Sequence, residues 1–167
     1  IFFDKPIYSW TDKIEIKIIA PSWNTDKDLI DSIGNDEQNP IKISTREYSL
    51  EQYRLTETDV RSGIFTGEII LTGFLHDANG DGDFDTNPRT IGNGPTSGFL
   101  EVERDSAVTV SFEFADGVVL TESVPVSWNL GTIKFTKDIF LSDDSVIIHI
   151  IDLDMNLNPE ALDQIEI

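Results

Sequence analysis

Lys13-Ile14-Glu15-Ile16-Lys17-Ile18-Ile19-Ala20 places isoleucine at 14, 16 and 18 and charge at 15 and 17. A period of two sends successive side chains to opposite faces, so the stretch reads as a β-strand buried on one side and wet on the other. Val108-Thr109-Val110-Ser111-Phe112-Glu113-Phe114 follows the same rule, and Ala115-Asp116-Gly117 turns it into Val118-Val119-Leu120 as a hairpin. Val124, Val126 and Trp128 alternate with Ser123, Pro125 and Ser127. Pro125 lacks an N–H to donate, which suits an edge strand or a bulge. Phe65–Phe74 is a further strand, Ile41–Ile43 and Tyr53–Leu55 are shorter ones, and Phe99–Glu103 flanks a long loop. Asp28–Ile33 followed by Gly34 is the stretch that suggests helix, a turn or two ended by glycine. About seven short strands with turns between them predict an all-β fold, an immunoglobulin-like antiparallel β-sandwich.

The chain also repeats itself. Shifted by 132 positions, Ile1, Phe3, Lys5 and Ile7 fall on Ile133, Phe135, Lys137 and Ile139 without a gap. Asp12, Ile16, Ile18, Ile19, Asn24, Asp31 and Ile33 fall on Asp144, Ile148, Ile150, Ile151, Asn156, Asp163 and Ile165. Tyr8 with Phe140 and Ile14 with Val146 are conservative matches between them. A fixed internal period is the signature of a modular array. The expected organisation is one complete module, residues 1–132, with 133–167 the opening strands of the next.

Between the strands lies His76-Asp77-Ala78-Asn79-Gly80-Asp81-Gly82-Asp83-Phe84-Asp85-Thr86-Asn87. Side-chain oxygens recur at 77, 79, 81, 83, 85 and 87, with glycines at 80 and 82 for a sharp turn. Hard cations such as Ca²⁺ take six to eight oxygen ligands from a flexible loop. Without a cation, each carboxylate pair at roughly 6 Å costs about 0.7–3 kcal/mol, depending on how far water screens it. Asp77–Asp85 matches the first nine positions of an EF-hand loop, with Gly82 at the sixth, but the twelfth is Pro88 where that loop wants a bidentate Glu. The expectation is therefore a calcium-binding β-loop held by Asp77, Asn79, Asp81, Asp83, Asp85 and Asn87, with Glu101 or Glu103 available to complete the shell. The surrounding stretch 75–98 is long and poor in apolar residues, and bound metal would lend it order. Asp152, Asp154, Asn156 and Asn158 repeat the alternate-oxygen pattern and form a second candidate, for which a polar turn is the competing reading.

Charge and composition narrow the function. Asp plus Glu is 31 against 12 Lys plus Arg, a formal charge of −19. Such a field repels nucleic acid and anionic membranes and gathers cations, although it also serves simply to keep a surface soluble. With no cysteine there is no disulfide framework and no thiolate site. The chain starts at Ile1 without an initiator Met or an apolar leader, and it has no apolar run of about eighteen residues. A piece of a longer secreted protein is expected. Catalytic signatures are missing: no nucleophile elbow, phosphate-cradling glycine loop or Cys/His pair, so no enzymatic role is expected. His149 occupies the place of Lys17 on a strand's polar face, and His76 abuts the acid loop. Trp10 and Trp128 suit packing, while Trp23 stays open between packing and a sugar platform.

Phe3-Asp4-Lys5-Pro6-Ile7-Tyr8-Ser9-Trp10-Thr11-Asp12-Lys13 and Ile18-Ile19-Ala20-Pro21-Ser22-Trp23-Asn24 open the module. With Ser62-Gly63-Ile64-Phe65-Thr66-Gly67-Glu68 and Asp152–Pro159, they resemble the tandem immunoglobulin-like modules of large surface-layer (S-layer) proteins of ammonia-oxidising archaea. The resemblance implies a secreted, acidic, cell-surface lattice subunit that binds divalent cations and assembles with neighbouring copies. It also implies a negatively charged, porous coat through which ammonium could pass. No Asn-X-Ser/Thr sequon occurs here, a departure from the frequent glycosylation of such coats. The alternative is a calcium-dependent adhesin repeat or a carbohydrate-binding module of a large extracellular protein.

Overall fold

The stretch from Lys13 is the second strand of an all-β chain. A computed structural model describes residues 1–75, 77, 81–84, 87–127, 131–152, 155–156, 160 and 162. In order the strands are β1 (Phe2–Phe3), β2 (Lys13–Ile19), β3 (Ser32–Ile33), β4 (Ile41–Ser44), β5 (Ser49–Leu50) and β6 (Leu55–Glu57). They continue with β7 (Ile64–Thr72), β8 (Gly98–Glu101), β9 (Ser106–Ala115), β10 (Val118–Val126), β11 (Thr132–Phe135) and β12 (Ile148–Ile151). One sheet runs β1-β2-β7-β6-β3 with β8 also on β7, and a second runs β10-β9-β4-β5. β11 and β12 form a separate pair.

The alternation read from the sequence decides which side chains meet. Ile14, Ile16 and Ile18 of β2 are fully buried with Phe65, Ile69 and Leu71 of β7. They share one cluster with Ile41, Ile43, Val108, Val110, Phe112 and Val124 from the second sheet, so the two sheets enclose a common core. Each such side chain contributes roughly 1.5–3 kcal/mol by leaving water. Tyr8 links the layers. Its N–H donates to the Pro125 carbonyl (3.1 Å) and its carbonyl accepts from Ser127 (3.0 Å), while β1 a few residues earlier belongs to the first sheet. Pro125 thus sits in an edge strand, and the irregularity in β10 falls at Val118–Val119.

Two expectations are corrected. Asp28–Ile33 is not helical: Ser32–Ile33 is a strand paired with β6, because Ile33 completes the core and Asp31 ties the chain into a bend. Its carboxylate accepts the N–H groups of Thr25 (2.6 Å) and Asp26 (3.0 Å), giving those groups an alternative to helical bonding. Pro21–Trp23 is a 3-10 turn. Nor is the fold wholly antiparallel. β8 lies parallel to β7, Ile69 opposite Gly98 and Leu71 opposite Leu100. Parallel neighbours cannot be joined by a tight hairpin and need a long crossover. The chain between Thr72 and Gly98 is that crossover, so topology by itself calls for a connection of about a dozen residues or more.

The 132-residue period has a geometric counterpart. Phe2 faces Lys17 and Phe3 faces Ile16 in β1–β2; Lys134 faces His149 and Phe135 faces Ile148 in β11–β12, the same register moved by 132. Lys5 pairs with Asp12 at 3.2 Å and Lys137 with Asp144 at 2.5 Å. The same lysines lie over the rings of Tyr8 (5.4 Å) and Phe140 (5.1 Å). Asp12 accepts the Ser9 N–H at 3.0 Å, and Asp144 accepts the Leu141 N–H at 2.7 Å. The turn bond from Trp23 to Ala20 recurs from Met155 to Asp152. What differs is cover. Ile16 is 0 % exposed and Ile148 is 53 % exposed.

Candidate cation-binding loop

β7 ends at Thr72, and the crossover begins against an aromatic base. The Trp10 ring lies 4.7 Å from the Phe74 ring, and the Arg104 guanidinium sits 4.6 Å from Trp10. Gly73 is needed there, since a Cβ would come within 2.8 Å of the indole. Trp23 packs 5.4 Å from Phe112 of the core. Packing is therefore the role of both described tryptophans; Trp128 lies outside the described residues.

Beyond Phe74 the acidic stretch curls back on itself. The Asp77 carboxylate accepts the Gly82 N–H at 2.8 Å, joining the first and sixth positions of the candidate loop. Gly82 has φ +94°, in the left-handed region where a side chain would strain the backbone. The Asp81 carboxylate accepts the Asp83 N–H at 2.8 Å. The far end is clamped to the near one: Thr72 Oγ1 donates to the Arg89 carbonyl (2.9 Å) and accepts the Arg89 N–H (3.2 Å). Arg89 lies 3.8 Å over Phe99 and donates to the Asn87 carbonyl at 3.1 Å. Burial pulls the Arg89 guanidinium below its ordinary pKa.

The rest of the crossover is ordered by the protein itself. Ile91 exchanges backbone bonds with Phe99, the Asn93 carbonyl accepts from Arg54, and the Pro95 carbonyl accepts from Glu68 at 2.7 Å. Residues 89–97 are thus held by bonds to Arg54, Glu68, Thr72 and Phe99.

Of the expected ligands, Asp77, Asp81, Asp83 and Asn87 are described, whereas Asn79, Asp85 and the neighbouring His76 lie outside the described residues. Among the described residues no three acidic or imidazole side chains converge into a group that could hold a metal ion. Glu101 and Glu103 are engaged elsewhere. Glu101 takes the Tyr48 hydroxyl, raising that phenol's pKa, and Glu103 lies 3.8 Å from Arg46.

The second candidate lies where 133–160 meets the first sandwich. Its Asp152 carboxylate packs on Gly131, whose added Cβ would come within 2.8 Å of Oδ2. The Asn156 carbonyl accepts the Thr11 hydroxyl at 2.8 Å, and Lys13 bridges Glu68 (3.4 Å) and Glu160. Met155 donates to the Asp152 carbonyl in a tight turn, which aligns residues three apart rather than two. Asp154 and Asn158 lie outside the described residues. The sequence offered no signal for the Thr11 and Lys13 contacts, because neither residue is distinctive by type. His149 is exposed, as its position opposite Lys134 requires.

No protein-family model matches this chain, and comparison with curated proteins finds no match.

Proposed function

We propose that this chain is a structural module of a secreted, acidic, cation-binding cell-surface lattice protein of the S-layer kind. The observation that carries this reading is the recurrence, at a spacing of 132, of the same strand pair, ion pair, cation–π contact and turn. Serial modules that share joint chemistry suit a load-bearing array better than an isolated binding domain. Strand order supports an immunoglobulin-like sandwich: the first segment starts in one sheet and crosses, at Tyr8, to lie parallel to the last strand of the other. Residues 1–132 then form one module, and 133–167 open the next.

Calcium fits the donor chemistry of the crossover. Asp77, Asn79, Asp81, Asp83, Asp85 and Asn87 all offer hard oxygens, and the bond from the Gly82 N–H to Asp77 supports a turn at the start of that stretch. A bound ion would neutralise the crowded carboxylates and stiffen the acidic half of the crossover; the protein's own residues hold the other half. The −19 charge would supply further cation sites between copies. The packed positions of Trp10 and Trp23 give a sugar-binding module no aromatic row among the described residues.

The test is a melting curve with calcium, magnesium and chelator, alongside electron microscopy of the calcium-treated protein. A calcium-specific rise in midpoint with ordered sheets is expected. A protein that stays monomeric, ignores both ions and binds oligosaccharide overturns the reading.

A further inference from the structure

Ile133, Phe135, Val146, Ile148 and Ile150 occupy, at a spacing of 132, the places of Ile1, Phe3, Ile14, Ile16 and Ile18. In the first module those side chains face the core. In the second, Ile133 is 67 % and Phe135 58 % exposed, and the three on or beside β12 are each more than half exposed. Among the described residues β12 pairs with β11 alone, so its other edge presents unpaired backbone beside an apolar face. Such an edge is a template for another strand.

The first module shows what fills it. The matching edge of β2 is taken by β7, from Lys13 opposite Ile70 to Ile19 opposite Ile64, with Gly67 opposite Ile16. β11–β12 keeps the register of β1–β2 and the apolar residues of its inner face, so it presents to an incoming strand what β2 presents to β7. We propose that β12 is a docking edge for a strand of β7 chemistry from a module of this same repeat. The strand runs antiparallel, with Gly67, or its equivalent, opposite Ile148. This inference rests on the modular reading and adds to it a defined edge, register and face. The net charge of −19 on each chain works against the simpler alternative, β12 against β12 of a second copy.

The probe is a synthetic peptide of residues 62–74 added to the whole 167-residue chain, read by amide hydrogen exchange and by a binding isotherm. Slowed exchange along 146–151 is expected, with that of β2 unchanged. Ile148→Lys, on the inner face, should weaken binding by about tenfold or more. Ile147→Lys, on the outer face where the first module carries Glu15, should leave it nearly unchanged. Both positions are exposed, so an unaltered melting midpoint of the first sandwich checks that each variant folds. Absence of protection, equal loss in both variants, or concentration-dependent self-association through β12 that the peptide does not compete overturns the proposal. Calcium-dependent sheets without peptide protection refute the docking edge alone; peptide protection without a calcium response or sheets refutes the lattice function alone.

Discussion

Ile16 and Ile148 are the same residue at the same repeat position, opposite Phe3 and Phe135 respectively, and differ only in what covers them. Ile16→Ala removes three carbons from a fully buried site. At about 0.8 kcal/mol per buried carbon the transfer loss is ~2.4 kcal/mol, and a partly unrelaxed cavity brings the total to about 3–4 kcal/mol. Ile148→Ala removes the same atoms from a side chain already half in water and should cost the first sandwich no more than ~0.5 kcal/mol. Urea unfolding followed by tryptophan fluorescence reads the difference, since Trp10 and Trp23 both pack in the first module. With a slope near 2 kcal/mol per molar, Ile16→Ala should lower the midpoint by about 1.5–2 M and Ile148→Ala should barely move it. Equal losses at both positions would show that β12 is covered. A loss below about 1 kcal/mol at Ile16 would show that β2 does not lie in the core, and either result would refute the reasoning.

Replacing Asp77 and Asp81 together by Ala should abolish the calcium response while leaving the melting midpoint in chelator unchanged, because neither side chain is in the core. At about a hundredfold above Kd the lost stabilisation is ~2.7 kcal/mol, and an undiminished calcium shift would move the site elsewhere. Burial pushes the Tyr53 phenol up to about 12, and burial together with the Asp4 hydrogen bond pushes Tyr8 higher still. A raised folded pKa contributes stability that is complete below the unfolded value of 10 and is lost as pH climbs toward the folded one. Ultraviolet titration should therefore show these two phenols ionising only above 10, with unfolding; ordinary titration in the native state would contradict their burial. Asp31 is held below its ordinary 3.8 by the Asp26 N–H first, with the Thr25 hydroxyl and N–H adding to it. Its contribution is present above 3.8 and disappears as pH falls through the lower folded value, so NMR should find a carboxyl midpoint below 3.8 that Thr25→Val raises. A normal midpoint in the parent protein would remove the bend described for residues 25–31.

How much was legible in advance differs element by element. β2, β7, β9 and the β9–β10 hairpin follow from period-two alternation, because a strand half in water must alternate. The repeat showed that 133–151 copies the opening of the chain, but the β1–β2 pairing and its register came from the structure. Strand β3 was misread as helix because Gly34 directly after Asp28–Ile33 reads as a helix end. Its conformation is set by Asp31 gathering distant N–H groups and by one isoleucine entering the core. In the acid loop, ligand types and the glycine turn were visible, as was the sixth-position glycine that bonds Asp77. Local spacing could not show that Glu101 and Glu103 would be taken by Tyr48 and Arg46, partners far along the chain.

From the sequence alone came the all-β class, the strand periodicity, the 132-residue self-match and the oxygen-rich loop, all of which depend on neighbours a few residues apart or on self-comparison. Only the tertiary structure decided that the chain between β7 and β8 joins parallel strands, that residues 89–97 are held by Arg54, Glu68, Thr72 and Phe99, and that β12 repeats the pairing of β2 with its side chains exposed. Those facts depend on which strand edges meet in space, and hydrogen bonding between edges is blind to distance along the chain.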